Sequence, residues 1–173
     1  MNEVIKCLVE RRSCKKYLPQ QVDEAALQEV LLAGTYAPSG KNRQAAKILV
    51  VQKPEDVAAL QRLNAAVLGN PEGKPFYGAP TVLVVLADAE VNTAVEDGSV
   101  VMENLMIAAH SLGLGSCWVH RAREVFASDE GKALLKKWGV DGSYIGVGHC
   151  LLGYADGPEK PASPRKADFV VRV

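Results

Sequence analysis

The run Thr81-Val-Leu-Val-Val-Leu-Ala87 constrains the fold more than any other part of the chain. It shows no polar alternation, so a strand made of it is covered on both faces and lies inside a sheet. Such a strand needs neighbours at both edges and packed layers above and below. Lys47-Ile-Leu-Val-Val-Gln52 is a second β-branched, apolar run and reads as a buried strand. Ser116-Cys-Trp-Val-His120 reads as a short strand and Tyr144 to Tyr154 as the last core strand. Gly146 and Gly148 within it signal close packing or a bulge.

Helical patterns fall between these strands. Residues 2–10 place Val4, Ile5 and Leu8 on one face. Asp23 is a good N-cap for a helix to about Tyr36, with Leu27, Val30 and Leu31 facing inward. Pro54 opens a helix over roughly 54–67, and 69–80 is a loop. A helix from about Val95 to Leu112 has little polar surface, so it is buried in the core or in a subunit interface. Residues 122–138 hold one or two more helices. From Ala155 the chain carries Pro158, Pro161 and Pro164, and it ends in Phe169-Val-Val-Arg-Val173. The prolines predict an extended arm over 155–173, closing in a strand with nothing after it. The alternation of helices and strands predicts one α+β or α/β domain over 1–173.

Bulk charge excludes several functions. Twenty cationic and twenty anionic side chains leave no net charge, so no overall field favours nucleic acid or a membrane surface. No apolar run reaches the length of a membrane span. The four cysteines, Cys7, Cys14, Cys117 and Cys150, contain no Cys-x-x-Cys. With a polar start at Met1-Asn2-Glu3, free thiols in a reducing cytoplasm are the expectation.

Positive charge is concentrated locally. Arg11-Arg12-Ser13-Cys14-Lys15-Lys16 places four cations in six positions. It is either a solvated basic turn or a site for a phosphate ester, which arginine grips with two prongs. Ala37-Pro-Ser-Gly-Lys-Asn-Arg-Gln44 is a bend rich in amides and backbone N–H groups. It is either a plain turn or a rest for a polar, planar ligand. Gly113-Leu-Gly-Ser-Cys-Trp-Val-His120 is either a helix end with a strand or a close approach to a flat ligand. Cys117 with His120, and His149 with Cys150, each point to opposite strand faces, which argues against a metal. No motif marks a nucleophilic cysteine. No Gly-x-Gly-x-x-Gly or Walker loop is present, so a nicotinamide cofactor would bind only transiently.

In this order, Arg11 to Lys15, Ala37 to Gln44, Gly113 to Trp118 and Pro164-Arg165 resemble the nitroreductase family of flavin enzymes. The match spans nearly the whole chain. The resemblance implies an α+β nitroreductase-like fold with a central mixed or antiparallel sheet flanked by helices. It implies an intertwined homodimer holding FMN between subunits, with Phe169–Val173 added to the partner's sheet. By the same resemblance, Arg11 and Arg165 hold the FMN phosphate. Arg12 and Ser13 flank the flavin or its ribityl chain, and Lys15 is the cation near N1 and O2. Pro38, Ser39 and Gly40 come from the other subunit, and Asn42 and Gln44 contact the ring edge or ribityl chain. Trp118, Val119, His120 and Arg121 lie along the isoalloxazine, where a backbone N–H reaches N5. Ala45-Ala46, where the family often has Pro-Trp, and Ser163, where it often has a cation, are departures. His120 and Arg121 either favour an anionic substrate or serve the structure.

The implied reaction is a two-step hydride transfer from NADH or NADPH, through flavin N5, to a small acceptor such as a nitroaromatic, quinone or flavin. No protein acid or base is implied. The rival readings are an FMN-binding carrier or sensor without turnover, and a specialised flavin enzyme acting on one metabolite.

Overall fold

In the computed structural model, which describes residues 1–173, the chain runs α1 (Glu3–Glu10), α2 (Glu24–Thr35), β1 (Ala46–Val51), α3 (Pro54–Val67), β2 (Thr81–Asp88), α4 (Ala94–Ser111), β3 (Gly115–Val119), α5 (Ala122–Ala127), α6 (Asp129–Lys137) and β4 (Tyr144–Gly153). The four strands form one sheet in the order β1-β2-β4-β3. Every pairing is antiparallel, so of the mixed and antiparallel alternatives the chain takes the second.

The apolar run of β2 lies inside this sheet, and its two faces feed two cores. Val82, Val84 and Leu86 pack with Leu60 and Leu63 of α3, Val125 and Phe126 of α5 and Leu135 of α6. Leu83, Val85 and Ala87 pack with Leu27 and Val30 of α2 and with Val101, Met102 and Leu105 of α4. Each large side chain buried this way contributes about 1.5–3 kcal/mol of transfer free energy. That is why no polar residue interrupts Val82 to Ala87 on either face.

Gly146 and Gly148 of β4 mark both features expected of them. The pairing steps from Val85–Gly148 to Leu86–Gly146, so Val147 is the extra residue of a bulge. Gly146 lies against the backbone carbonyl of Ala122, and a Cβ there would overlap it. Val147 presses on Gly98 of α4.

The 122–138 segment is two helices. Ser128 ends α5, and its Oγ accepts from the Gly131 N–H at 3.0 Å to start α6. The strand expected at Phe169–Val173 does not form within one chain. Those residues are exposed and unpaired with any strand, because a strand has no backbone partners until a sheet edge is supplied. The apolar face of α1 is likewise uncovered: Val4, Ile5 and Leu8 are all exposed and the helix buries no residue. No helix is long and apolar enough to cross a membrane.

Candidate functional site

The basic cluster is fixed to the β3 edge of the sheet. After α1 the chain turns at Arg11, Ser13 bridges Ser116, and the Cys14 N–H donates to the Ser116 carbonyl at 2.9 Å. Arg11 folds inward, with Nε and Nη1 sealed from solvent and facing no acceptor. Two sealed donor atoms of a half-buried cation are costly to leave unused unless an anion supplies oxygens to them. A phosphate has the matching charge and geometry, so the residues present fit a phosphorylated ligand.

The other cations of the cluster are placed differently. Arg12 Nη1 donates to the carbonyls of Val9 at 2.8 Å and Arg11 at 2.7 Å, so it closes the end of α1. Ser13 is exposed. Lys15 Nζ stands 5.8 Å from the centre of the Tyr77 ring, a cation–π contact. Arg165 is exposed on the arm, and its side chain makes no ion pair. The arm starts beside the cluster: Lys16 pairs with Asp156 at 2.8 Å, and Tyr17 bridges Ala155. Between Arg12–Lys16 and the arm, which contributes Lys160 and Ser163, lies a cavity of 460 Å³.

The bend at 37–44 is held in an unusual backbone. Lys41, Asn42 and Gln44 have φ of 54°, 53° and 52°, a left-handed region that non-glycine residues visit only when other contacts compensate. Those contacts are present. The buried Asp97 carboxylate accepts from the Gly40 N–H at 2.9 Å and from Thr93 Oγ1 at 3.1 Å. Ser39 Oγ accepts from the Gln44 N–H at 3.0 Å, and Asn42 Oδ1 from Gln44 Nε2 at 3.3 Å. Pro38, Ser39 and Gln44 line a 340 Å³ cavity whose floor is Leu31, Ile48 and Val101. Sequence reading missed Asp97, because an acidic residue in the first turn of a helix is ordinary.

The third segment closes β3. Trp118 is half-buried, its indole against Gly148 on the α4 side of the sheet. His120 is exposed and Arg121 has φ 76°. Fully buried Asn64 of α3 donates from Nδ2 to the His120 carbonyl at 2.7 Å and accepts from Arg121 Nε at 3.1 Å. His149 Nδ1 lies 3.3 Å from the Val119 carbonyl. Burial pushes the His149 pKa down to about 4, so the ring is neutral. Asn64 carried no signal in the sequence, and His149 drew notice only as a metal candidate.

One chain does not bring these parts together. The basic cluster and the 118–121 segment share β3, whereas the bend leads into β1 at the opposite edge. The two also lie at opposite strand ends. Ala46 is level with Ala87 and Ile145, whereas Ser116 is level with Leu152. At about 3.4 Å per residue and 4.8 Å per strand, the corners are on the order of 25 Å apart. That exceeds the reach of an extended mononucleotide.

Fold and site thus define an α+β protein with an antiparallel sheet, a half-buried arginine fit for phosphate and a remote polar bend. The profile of the Nitroreductase family matches residues 8–76 and 69–154. The chain belongs to the nitroreductase family. It superposes on a nitroreductase with bound FMN from Bacteroides fragilis with a TM-score of 0.91 and 27% identity, over 100% of both chains. A nitroreductase with bound FMN from Desulfitobacterium hafniense gives 0.89 and 29% identity, over 100% of this chain and 99% of that one. An NADH dehydrogenase of Thermus thermophilus is 30% identical over 144 residues, covering 83% of this chain and 64% of the relative.

Proposed function

We propose that this protein is an FMN-dependent oxidoreductase that carries hydride from NADH or NADPH to a small acceptor such as a nitroaromatic, a quinone or a free flavin. The observation that carries the reading is Arg11, a half-buried residue whose sealed Nε and Nη1 have no partner, in a family with solved FMN-bound members. When bound, FMN supplies the redox chemistry: a ring that takes hydride at N5 and gives it up again.

The chain's own residues hold and orient. Arg11 would grip the phosphate, aided by Arg165 of the arm once the arm is ordered against a subunit. Arg12 and Ser13 flank the entry to that grip. Lys15 places a cation at the ring end, where it favours negative charge on the pyrimidine side. Trp118, Val119, His120 and Arg121 form the wall beside the ring. Pro38, Ser39, Gly40, Asn42 and Gln44 lie too far from Arg11 of the same chain, so a second copy would supply them. A homodimer also gives a place to the exposed apolar face of α1 and to the exposed Phe169, Val170 and Val171 of the arm. In this reading residues 1–173 are one functional unit, with 155–173 as its exchanged arm. Buried free thiols at Cys117 and Cys150 suit a reducing cytoplasm.

The test is anaerobic mixing. The FMN-loaded protein should lose its visible flavin absorbance with NADH or NADPH and regain it when a quinone or nitroaromatic is added. Protein that retains no FMN, or flavin that neither nucleotide bleaches, would contradict the reading.

A further inference from the structure

We infer that Asn64 is a positioning residue that aims two adjacent backbone N–H groups, those of His120 and Arg121, at the flavin ring. The inference rests on the FMN reading above and deepens it. In a trans, planar peptide the C=O and N–H point in opposite directions. The Val119 carbonyl is turned inward to His149 Nδ1 at 3.3 Å, so the N–H of His120 points outward. The His120 carbonyl is turned inward to Asn64 Nδ2 at 2.7 Å, so the N–H of Arg121 points outward as well. Neither N–H makes a backbone hydrogen bond within the chain. Two neighbouring donors on one side form a concavity for acceptor atoms, such as a ring nitrogen beside a carbonyl oxygen.

Holding this arrangement requires Arg121 at φ 76°, which costs a non-glycine residue about 1 kcal/mol or more. Asn64 offsets that cost by accepting from Arg121 Nε at 3.1 Å. The side chain is fully buried and satisfied on both its oxygen and its nitrogen. It therefore fixes the carbonyl at one end of the turn and the guanidinium at the other. An apolar side chain of similar shape would keep the packing and release both.

The experiment compares wild type with Asn64→Leu, by amide hydrogen exchange with and without FMN and by the midpoint potential of bound FMN. In wild type, FMN should slow exchange at His120 and Arg121. In Asn64→Leu that protection should be lost, FMN affinity should fall about tenfold, and the potential should shift from the wild-type value. FMN that binds wild type without protecting these two amides would overturn the inference, even if the variant fails to fold. So would a folded variant with unchanged protection and potential. Wild type that binds no FMN at all would instead sink the flavin reading, and this inference with it.

Discussion

Replacing Arg11 by alanine is expected to weaken FMN binding about a hundredfold or more while leaving the empty protein as stable as before. The size follows from two charge-assisted hydrogen bonds to phosphate, each worth about 1.5–3 kcal/mol when desolvated. The lack of a stability cost follows from the side chain's surroundings. Arg11 Nε and Nη1 make no hydrogen bond in the chain, so the substitution breaks none there and removes two sealed donor atoms that have no partner. Melting should show both effects at once. The Tm without FMN stays level or rises, and the increase that FMN gives wild type disappears. Arg11→Lys should recover part of the affinity, since an ammonium keeps the charge but not the fork. A Kd for Arg11→Ala within a few-fold of wild type, from quenching of flavin fluorescence, would remove Arg11 from the site.

Gly146→Val is expected to damage the fold severely. A Cβ at Gly146 would overlap the carbonyl of Ala122, a backbone group that cannot rotate away. Strand β4 would have to part from α5, and the bulge at Val147 would lose its seat. Overpacking of this kind costs about 3 kcal/mol or more, which for a chain of this size lowers Tm by roughly 10 °C. Thermal melting of the apo protein reads it directly. A fall of only a degree or two would mean that α5 is not seated on β4 in this way.

The sequence made the centre of the sheet legible because β2 carries its evidence in its own residues. Apolar side chains at every position from Val82 to Ala87 have only one place to go. The glycines of β4 were legible for the same reason, since each marks a spot where a side chain does not fit. The strand order β1-β2-β4-β3 was not, because it depends on partners far apart in the chain. The contacts of Asp97, Asn64 and His149 were silent for a related reason. Their partners are the Gly40 N–H and the carbonyls of His120 and Val119, and a backbone group looks the same at every residue. Arg12 shows the converse. Its place in a basic cluster was plain, yet its guanidinium is spent on the carbonyls that end α1. The terminal strand was read from composition alone, and Phe169 to Val173 pair with no strand of their own chain.

The central claim is that each flavin site joins the basic cluster of one subunit to the 37–44 bend of another. It is tested by pairing two broken chains. One carries Arg11→Ala. The other carries Gly40→Val, whose side chain would collide with Thr93 and unseat the Gly40 contact to Asp97. Neither homodimer should hold FMN. In a heterodimer isolated with two different tags, both lesions fall in one site and the other is wild type throughout. The measurement is bound FMN per heterodimer. The account predicts one, and a heterodimer that binds none would place cluster and bend in the same chain's site and contradict it.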